Sequence, residues 1–153
     1  GGDKYDNVRI GINGRMDTLQ AAILLEKFAI FPEEVLLRNE AANRYRNLLF
    51  NHKSLTIPTI PNDHLSVWAQ YSILADSKEQ RAALQDKLKS EAIPTAVYYP
   101  KPLHLQTAFS GLGYQAGDFP ISEDFAGRIF SLPMHPYLDA GDQEKIAALI
   151  NAV

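Results

Sequence analysis

Val67-Trp68-Ala69-Gln70-Tyr71-Ser72-Ile73-Leu74 reads as a β-strand, with Trp68, Tyr71 and Ile73 supplying β-forming side chains. This stretch decides the fold because the character of the chain changes across it. Upstream, residues 16–31 carry helical periodicity, with Leu19, Ala22, Ile23 and Ile30 on a broad apolar stripe. Asp17 stands where a helix start favours an acid. Pro32 is expected to end or kink this helix and to serve as N1 of a second one, with Glu33 and Glu34 in its first turn. The second helix should run to about Asn51 and bury Val35, Leu36, Ala42, Tyr45, Leu48 and Leu49. Residues 55–61 form a proline-bounded extended stretch leading to the strand.

Downstream, Ser77 suits an N-cap and Gln80, three residues on, completes a capping box for a helix reaching about Glu91. Residues 95–99 read as a second short strand closed by Pro100, and residues 101–117 as a Pro- and Gly-rich loop. A short helix over 118–127, a third strand over Ile129–Leu132 and a final helix capped by Asp139 complete the chain. This order implies an α+β fold, a small sheet of about three strands covered by helices, preceded by a long N-terminal helix pair. A three-stranded sheet cannot cover two helices of that length, so one apolar face is expected to meet another domain or subunit. Residues 1–31 are accordingly read as a connecting loop and helix, and residues 32–153 as a small domain.

Composition narrows the function classes. Of 153 residues, 46% are hydrophobic and 22% charged, which is enough apolar matter for a buried core. The formal net charge of -3 argues against a nucleic-acid partner. The longest apolar runs, such as Ala21-Ala22-Ile23-Leu24-Leu25, are too short to span a membrane. The opening Gly-Gly-Asp-Lys-Tyr has no basic or apolar region of a signal peptide, and a cytoplasmic location is expected. With no cysteine, disulfides, zinc-thiolate sites and a thiol nucleophile are excluded. His52, His64, His104 and His135 do not pair at metal-ligand spacing, so no metal site is expected.

Three clusters could carry chemistry. Gly11-Ile12-Asn13-Gly14-Arg15-Met16-Asp17 places glycines, an amide and a guanidinium just before a helix. That grouping could hold a phosphate or carboxylate at the helix N-terminus; equally, it could be a turn, an N-cap and a surface arginine. Tyr98-Tyr99-Pro100-Lys101-Pro102-Leu103-His104 could line a pocket for a sugar or nucleotide, or its tyrosine rings could simply cap the core with wet hydroxyls. In Ser131-Leu132-Pro133-Met134-His135-Pro136 the prolines enforce an extended passage. There Met134 reads as core filler and His135 as a hydrogen-bonded turn residue. Trp68 and Tyr71 are assigned to the core.

Taken in order, these clusters resemble the DegT/DnrJ/EryC1/StrS family of nucleotide-sugar aminotransferases. The resemblance rests on Gly11-x-Asn13-x-Arg15-Met16-Asp17-Thr18-Leu19-Gln20-Ala21-Ala22, Arg38, Tyr45 and Ser66-x-Trp68-x-Gln70-Tyr71. It continues in Ile93-Pro94-Thr95, Tyr99-Pro100-x-Pro102-Leu103-His104 and the run from Ser131 to Leu138, and so covers nearly the whole chain. It implies the C-terminal part of a fold type I enzyme that uses pyridoxal 5'-phosphate, works as a homodimer, and transfers an amino group from glutamate to a UDP- or dTDP-linked keto-sugar. It further implies that Asn13 reaches the cofactor phosphate of the other subunit and that Arg15, Tyr98, Tyr99 and His104 meet the nucleotide-sugar. Tyr98 departs from the pattern, since many members have His there.

The family's Schiff-base lysine lies upstream of the Gly-x-Asn-x-Arg motif. None of Lys4, Lys27, Lys53, Lys78, Lys87, Lys89, Lys101 and Lys145 sits in its Ser-rich context. No catalytic residue is therefore assigned to this chain, which by itself is expected neither to hold the cofactor nor to be active. Two other readings fit the same residues: a deoxysugar dehydratase of the same family, and a non-catalytic binding or dimerisation module.

Overall fold

The fold is that of a computed structural model, which describes residues 6–12, 14 and 16–153. Six longer elements build it. They are helix α1 (Thr18–Leu49), strand β2 (Tyr71–Ala75) after a two-residue β1 (Leu55–Thr56), helix α2 (Lys78–Ser90), helix α3 (Pro120–Arg128) running directly into β3 (Ile129–Leu132), and helix α4 (Ala140–Asn151). The strands form one antiparallel sheet in the order β1-β2-β3. The α+β architecture and the three-stranded sheet agree with the sequence reading.

Alternation along β2 sends Tyr71, Ile73 and Ala75 to one face, where they are buried. The register opposes Tyr71 to Leu132 and Ile73 to Phe130, so the bulky residues of both strands share that face. They join Ala42, Tyr45 and Leu49 of α1, Leu84 and Leu88 of α2, and Ile146, Ala147 and Ile150 of α4 in a single buried cluster. Tyr71 is thus core, as expected, while Trp68 and Met134 are half-buried against the cluster. At the α1–α4 joint the fully buried Gln143 donates to the Ala41 carbonyl at 2.9 Å and accepts from Arg44 Nε at 2.5 Å. Both ends of its amide are satisfied, which is what makes a buried glutamine tolerable.

The expected helix pair is one helix. α1 runs unbroken through Pro32 for 32 residues. A mid-helix proline removes one hydrogen bond and costs about 3 kcal/mol. Here it falls in an exposed stretch, so water can satisfy the carbonyl it leaves unpaired. The packed half of α1 begins just beyond it, and the reading of residues 31 and 32 as a boundary separates an exposed half from a packed half of the same helix. Leu36, expected to be buried, is 65% exposed, because the face turned to the core runs through Ala41, Ala42, Tyr45 and Leu49. Asp17 caps the start in a full capping box with Gln20, a partner the sequence reading did not name.

Strand β2 starts four residues later than the expected strand over 67–74. Side chains of α1 claim the missing backbone. Arg38 donates to the Trp68 carbonyl at 3.0 Å, Asn39 donates to the Ser66 carbonyl at 3.0 Å, and Trp68 Nε1 donates back to Asn39 at 3.1 Å. Trp68 itself takes a positive φ of 48°, incompatible with a strand. The expected strand over 95–99 shrinks to a single bridge between Ala96 and Ser131. Pro94, Pro100 and Pro133 lack the amide hydrogens that would extend the ladder on either side. At α2, Ser77 caps Gln80 N–H at 3.1 Å, but the Gln80 side-chain Oε1 accepts from Asp76 N–H rather than closing the expected box. Among the described residues no helix is long and apolar enough to cross a membrane.

Truncating Phe130 to Ala should lower unfolding free energy by about 3–5 kcal/mol, whereas Leu25→Ala on the exposed half of α1 should change it by less than about 0.5 kcal/mol. Urea titration of both variants checks this; equal losses would mean that the core is not where the register puts it.

Candidate functional site

α3 turns into β3 without a loop, and this junction forms one wall of a cavity of about 710 Å³. Phe125 and Ala126 of α3 and Ile129 of β3 give the wall its apolar part. Ala126 is held there because Arg81 of α2 donates to its carbonyl at 2.9 Å. Arg128, paired with Asp124 one turn back, donates to the Ala75 carbonyl at 2.6 Å and ties the same junction to β2. The opposite wall is the segment leaving the Ala96–Ser131 bridge. Tyr98 and Tyr99 face the cavity there, their rings edge-on at 5.8 Å across a cis peptide bond. Lys101, Leu103 and Gln106 continue this wall.

The last piece comes from the other end of the chain. Asn7 lines the cavity, and its N–H donates to the Gln106 side-chain carbonyl at 2.8 Å. Gln106 is buried and its amide nitrogen donates to the Lys101 carbonyl at 3.1 Å. Beside it Asp6 accepts from Lys101 Nζ at 2.7 Å and from the Thr107 hydroxyl at 2.7 Å. The Lys101 ammonium and the Thr107 donors hold the Asp6 carboxyl down at about 2. Lys101 is therefore engaged by Asp6.

Of the residues expected at the site, Tyr98 and Tyr99 line this cavity. His104 does not. It lines a neighbouring apolar cavity of about 320 Å³ with Phe109, Leu112, Tyr114 and Phe119, and Leu103 and Ser122 border both. Its Nε2 lies 3.0 Å from a Glu123 oxygen, and its ring lies 4.7 Å from that of Phe119. Glu123 also accepts from the Gly117 and Phe119 amides. These bonds, those to Gly117 first, hold its carboxyl below the usual range. Asn13 and Arg15 lie outside the described residues. Sequence reasoning missed Asn7, Gln106, Ser122 and Phe125. Asn7 and Gln106 meet across 99 positions of chain, and no local pattern signals such a pairing.

Among its described lining residues the cavity contains no carboxylate and no imidazole, and its one lysine is paired. Phenols, amides and an apolar floor can bind and orient a hydroxyl-rich ligand, but they supply no free base. The groups of three His, Asp or Glu side chains that a metal ion needs do not occur among the described residues.

Because Glu123 joins His104, Gly117 and Phe119, its ionisation steadies the 103–119 segment. A depressed carboxyl contributes stability that is present above the ordinary carboxylate pKa and lost as pH falls through the lowered value. Glu123→Gln should therefore lower the thermal midpoint at pH 7 and flatten its fall as pH drops through and below the ordinary carboxylate range; parallel curves for variant and wild type would contradict this assignment.

The chain is similar to known proteins along nearly its whole length. The UDP-2-acetamido-2-deoxy-3-oxo-D-glucuronate aminotransferase of Pseudomonas aeruginosa is 40% identical over 147 residues, which is 96% of this chain and 39% of that protein. A DegT DnrJ EryC1 StrS aminotransferase from Brucella abortus, known as a crystal structure, superposes with a TM-score of 0.80 at 48% identity, over 99% of this chain and 39% of its own. S. venezuelae DesV in complex with a ketimine intermediate superposes with a TM-score of 0.83 at 28% identity, over 99% and 40%. The chain thus spans about two-fifths of the length of the relatives it matches. The sequence profile of the DegT/DnrJ/EryC1/StrS aminotransferase family matches residues 1–151, and the chain belongs to that family.

Proposed function

We propose that this chain is the C-terminal portion of a pyridoxal-phosphate-dependent aminotransferase that moves an amino group from glutamate to the keto carbon of a UDP- or dTDP-linked sugar. The enzyme acts as a cytoplasmic homodimer. Within it, residues 1–31 connect to the rest of the protein and residues 32–153 form the small domain. The packed body supports that division, since its first side-chain tie to α1 is the Tyr137–Glu34 hydrogen bond at 3.0 Å, just past Pro32.

The observation that carries the reading is the make-up of the cavity wall. Tyr98, Tyr99 and Asn7 line the cavity with hydroxyl and amide groups beside the apolar Phe125, a set suited to a sugar ring, on a chain whose family transfers amino groups. Family membership and the Pseudomonas relative, named for a UDP-linked oxo-sugar, support the substrate class. The described residues do not by themselves fit the cofactor. Lys101 is an ammonium bound to Asp6, and no carboxylate faces the cavity to meet a pyridinium nitrogen. The covalent anchor and the proton-moving base accordingly lie elsewhere in the protein, and Asn13 and Arg15 of this chain serve the cofactor phosphate and the sugar. This chain's part in the reaction is to bind and orient the nucleotide-sugar.

Incubation of the purified chain with pyridoxal phosphate, borohydride reduction and intact-mass measurement should give no stoichiometric adduct. Titration calorimetry with UDP-N-acetylglucosamine should show binding that Tyr99→Ala weakens about tenfold, equivalent to ~1.4 kcal/mol. Clean labelling of one lysine, with a visible absorption band beforehand, would overturn the division of labour, and no heat of binding would overturn the substrate class.

A further inference from the structure

Asp6 and Thr107 do not line the cavity, yet they hold the residue that does. The segment before α1 has no secondary structure over residues 6–12, and Ile10 and Ile12 are 75% and 100% exposed. Among its described residues, only Asp6 and Asn7 bond to the body. Asp6 receives Lys101 Nζ, Thr107 N–H at 3.2 Å and the Thr107 hydroxyl. Asn7 donates its N–H to Gln106 and accepts from Ala108 N–H at 2.7 Å. All of these partners fall within residues 101–108, nearly 100 positions away.

We propose that Asp6 and Thr107 are positioning residues for the nucleotide-sugar cavity: their hydrogen bonds clamp the 6–7 segment onto the 101–108 loop and so fix Asn7 as a wall of the site. Residues 6 and 7, held in this way, lose conformational freedom before a ligand arrives, and that cost is then not charged to binding. The clamp is built from one carboxylate, and both of its oxygens are used. Replacing it by an amide removes the ion pair and sets a donor against Lys101.

The inference rests on the nucleotide-sugar reading of the cavity, and the experiment separates the two. The 153-residue chain, its Asp6→Asn and Thr107→Val variants, and Thr107→Ser, which keeps the hydroxyl, are titrated with UDP-N-acetylglucosamine. Amide exchange at Asn7 and Ala108 is followed by NMR in parallel. Asp6→Asn and Thr107→Val should each weaken binding at least fivefold and speed exchange at both amides, with the exchange of core amides such as Ile73 and Phe130 unchanged. Thr107→Ser should stay within twofold of wild type in both measurements. Faster exchange with unchanged affinity would overturn the positioning role, and so would protected Asn7 and Ala108 amides in Asp6→Asn. Absence of binding by the wild-type chain would instead defeat the substrate class, and the clamp's role for that ligand with it.

Discussion

Tyr45 lies on Tyr71 with ring centroids 5.0 Å apart, and Trp68 adds a third ring 5.4 Å from Tyr71. Tyr45 belongs to α1, Tyr71 opens β2, and the Tyr45 hydroxyl donates to the Pro133 carbonyl just past β3 at 3.1 Å. One side chain therefore ties the long helix to the two strands that matter. The aromatic pair contributes about 0.5–1.5 kcal/mol beyond the area it buries. Burial pushes the Tyr71 hydroxyl up to about 12 and the Tyr45 hydroxyl higher still, so both rings stay neutral in the core. With Tyr71 fixed opposite Leu132, the β2–β3 register is set, and that register decides where Ile129 and the end of α3 stand. The apolar floor of the cavity follows from it.

The remaining walls depend on different forces. The 101–119 region forms short 3-10 turns at Leu103–Leu105 and Thr107–Leu112 and buries no large apolar side chain. It is held by polar hubs, Gln106 and Asp6 on the cavity side and Glu123 on the side of His104. Each hub accepts two or more hydrogen bonds or bridges two segments of backbone. The floor of the site therefore rests on the packed core, and its walls rest on hydrogen bonds and an ion pair. The exposed half of α1 presents Leu19, Ile23, Leu25 and Phe28 to solvent. A helix apolar around much of its circumference is normally enclosed, which agrees with a chain spanning about 39% of its relatives.

Much of this was legible in the chain itself. Leu19, Ala22 and Ile23 announced a helix, Tyr71 and Ile73 a strand, and Asp139 a helix start, because caps and periodicity are local and act within one turn. Strand Ile129–Leu132 fell where its composition placed it. Tyr98 and Tyr99 were legible as candidate lining because two aromatics, a lysine and a histidine stand together in one short stretch. The continuation of α1 through Pro32 was not legible, since propensity counts the cost of the proline but cannot know that the unpaired carbonyl is wetted. Nor was the late start of β2, because the side chains that capture Ser66 and Trp68 come from Arg38 and Asn39, about thirty residues earlier.

The amino-acid sequence determined the α+β class, most of the helices, the strand over Ile129–Leu132 and the family, each a property of short-range pattern or of motifs at set spacing. Tertiary structure alone decided which residues share the cavity. It brought Asn7 to Gln106 and Asp6 to Lys101 and Thr107, and it turned His104 away toward Glu123. The reason is physical. A hydrogen bond across a hundred residues forms only after the core has fixed both ends of the chain in space, so its partners carry no mark of one another in the sequence.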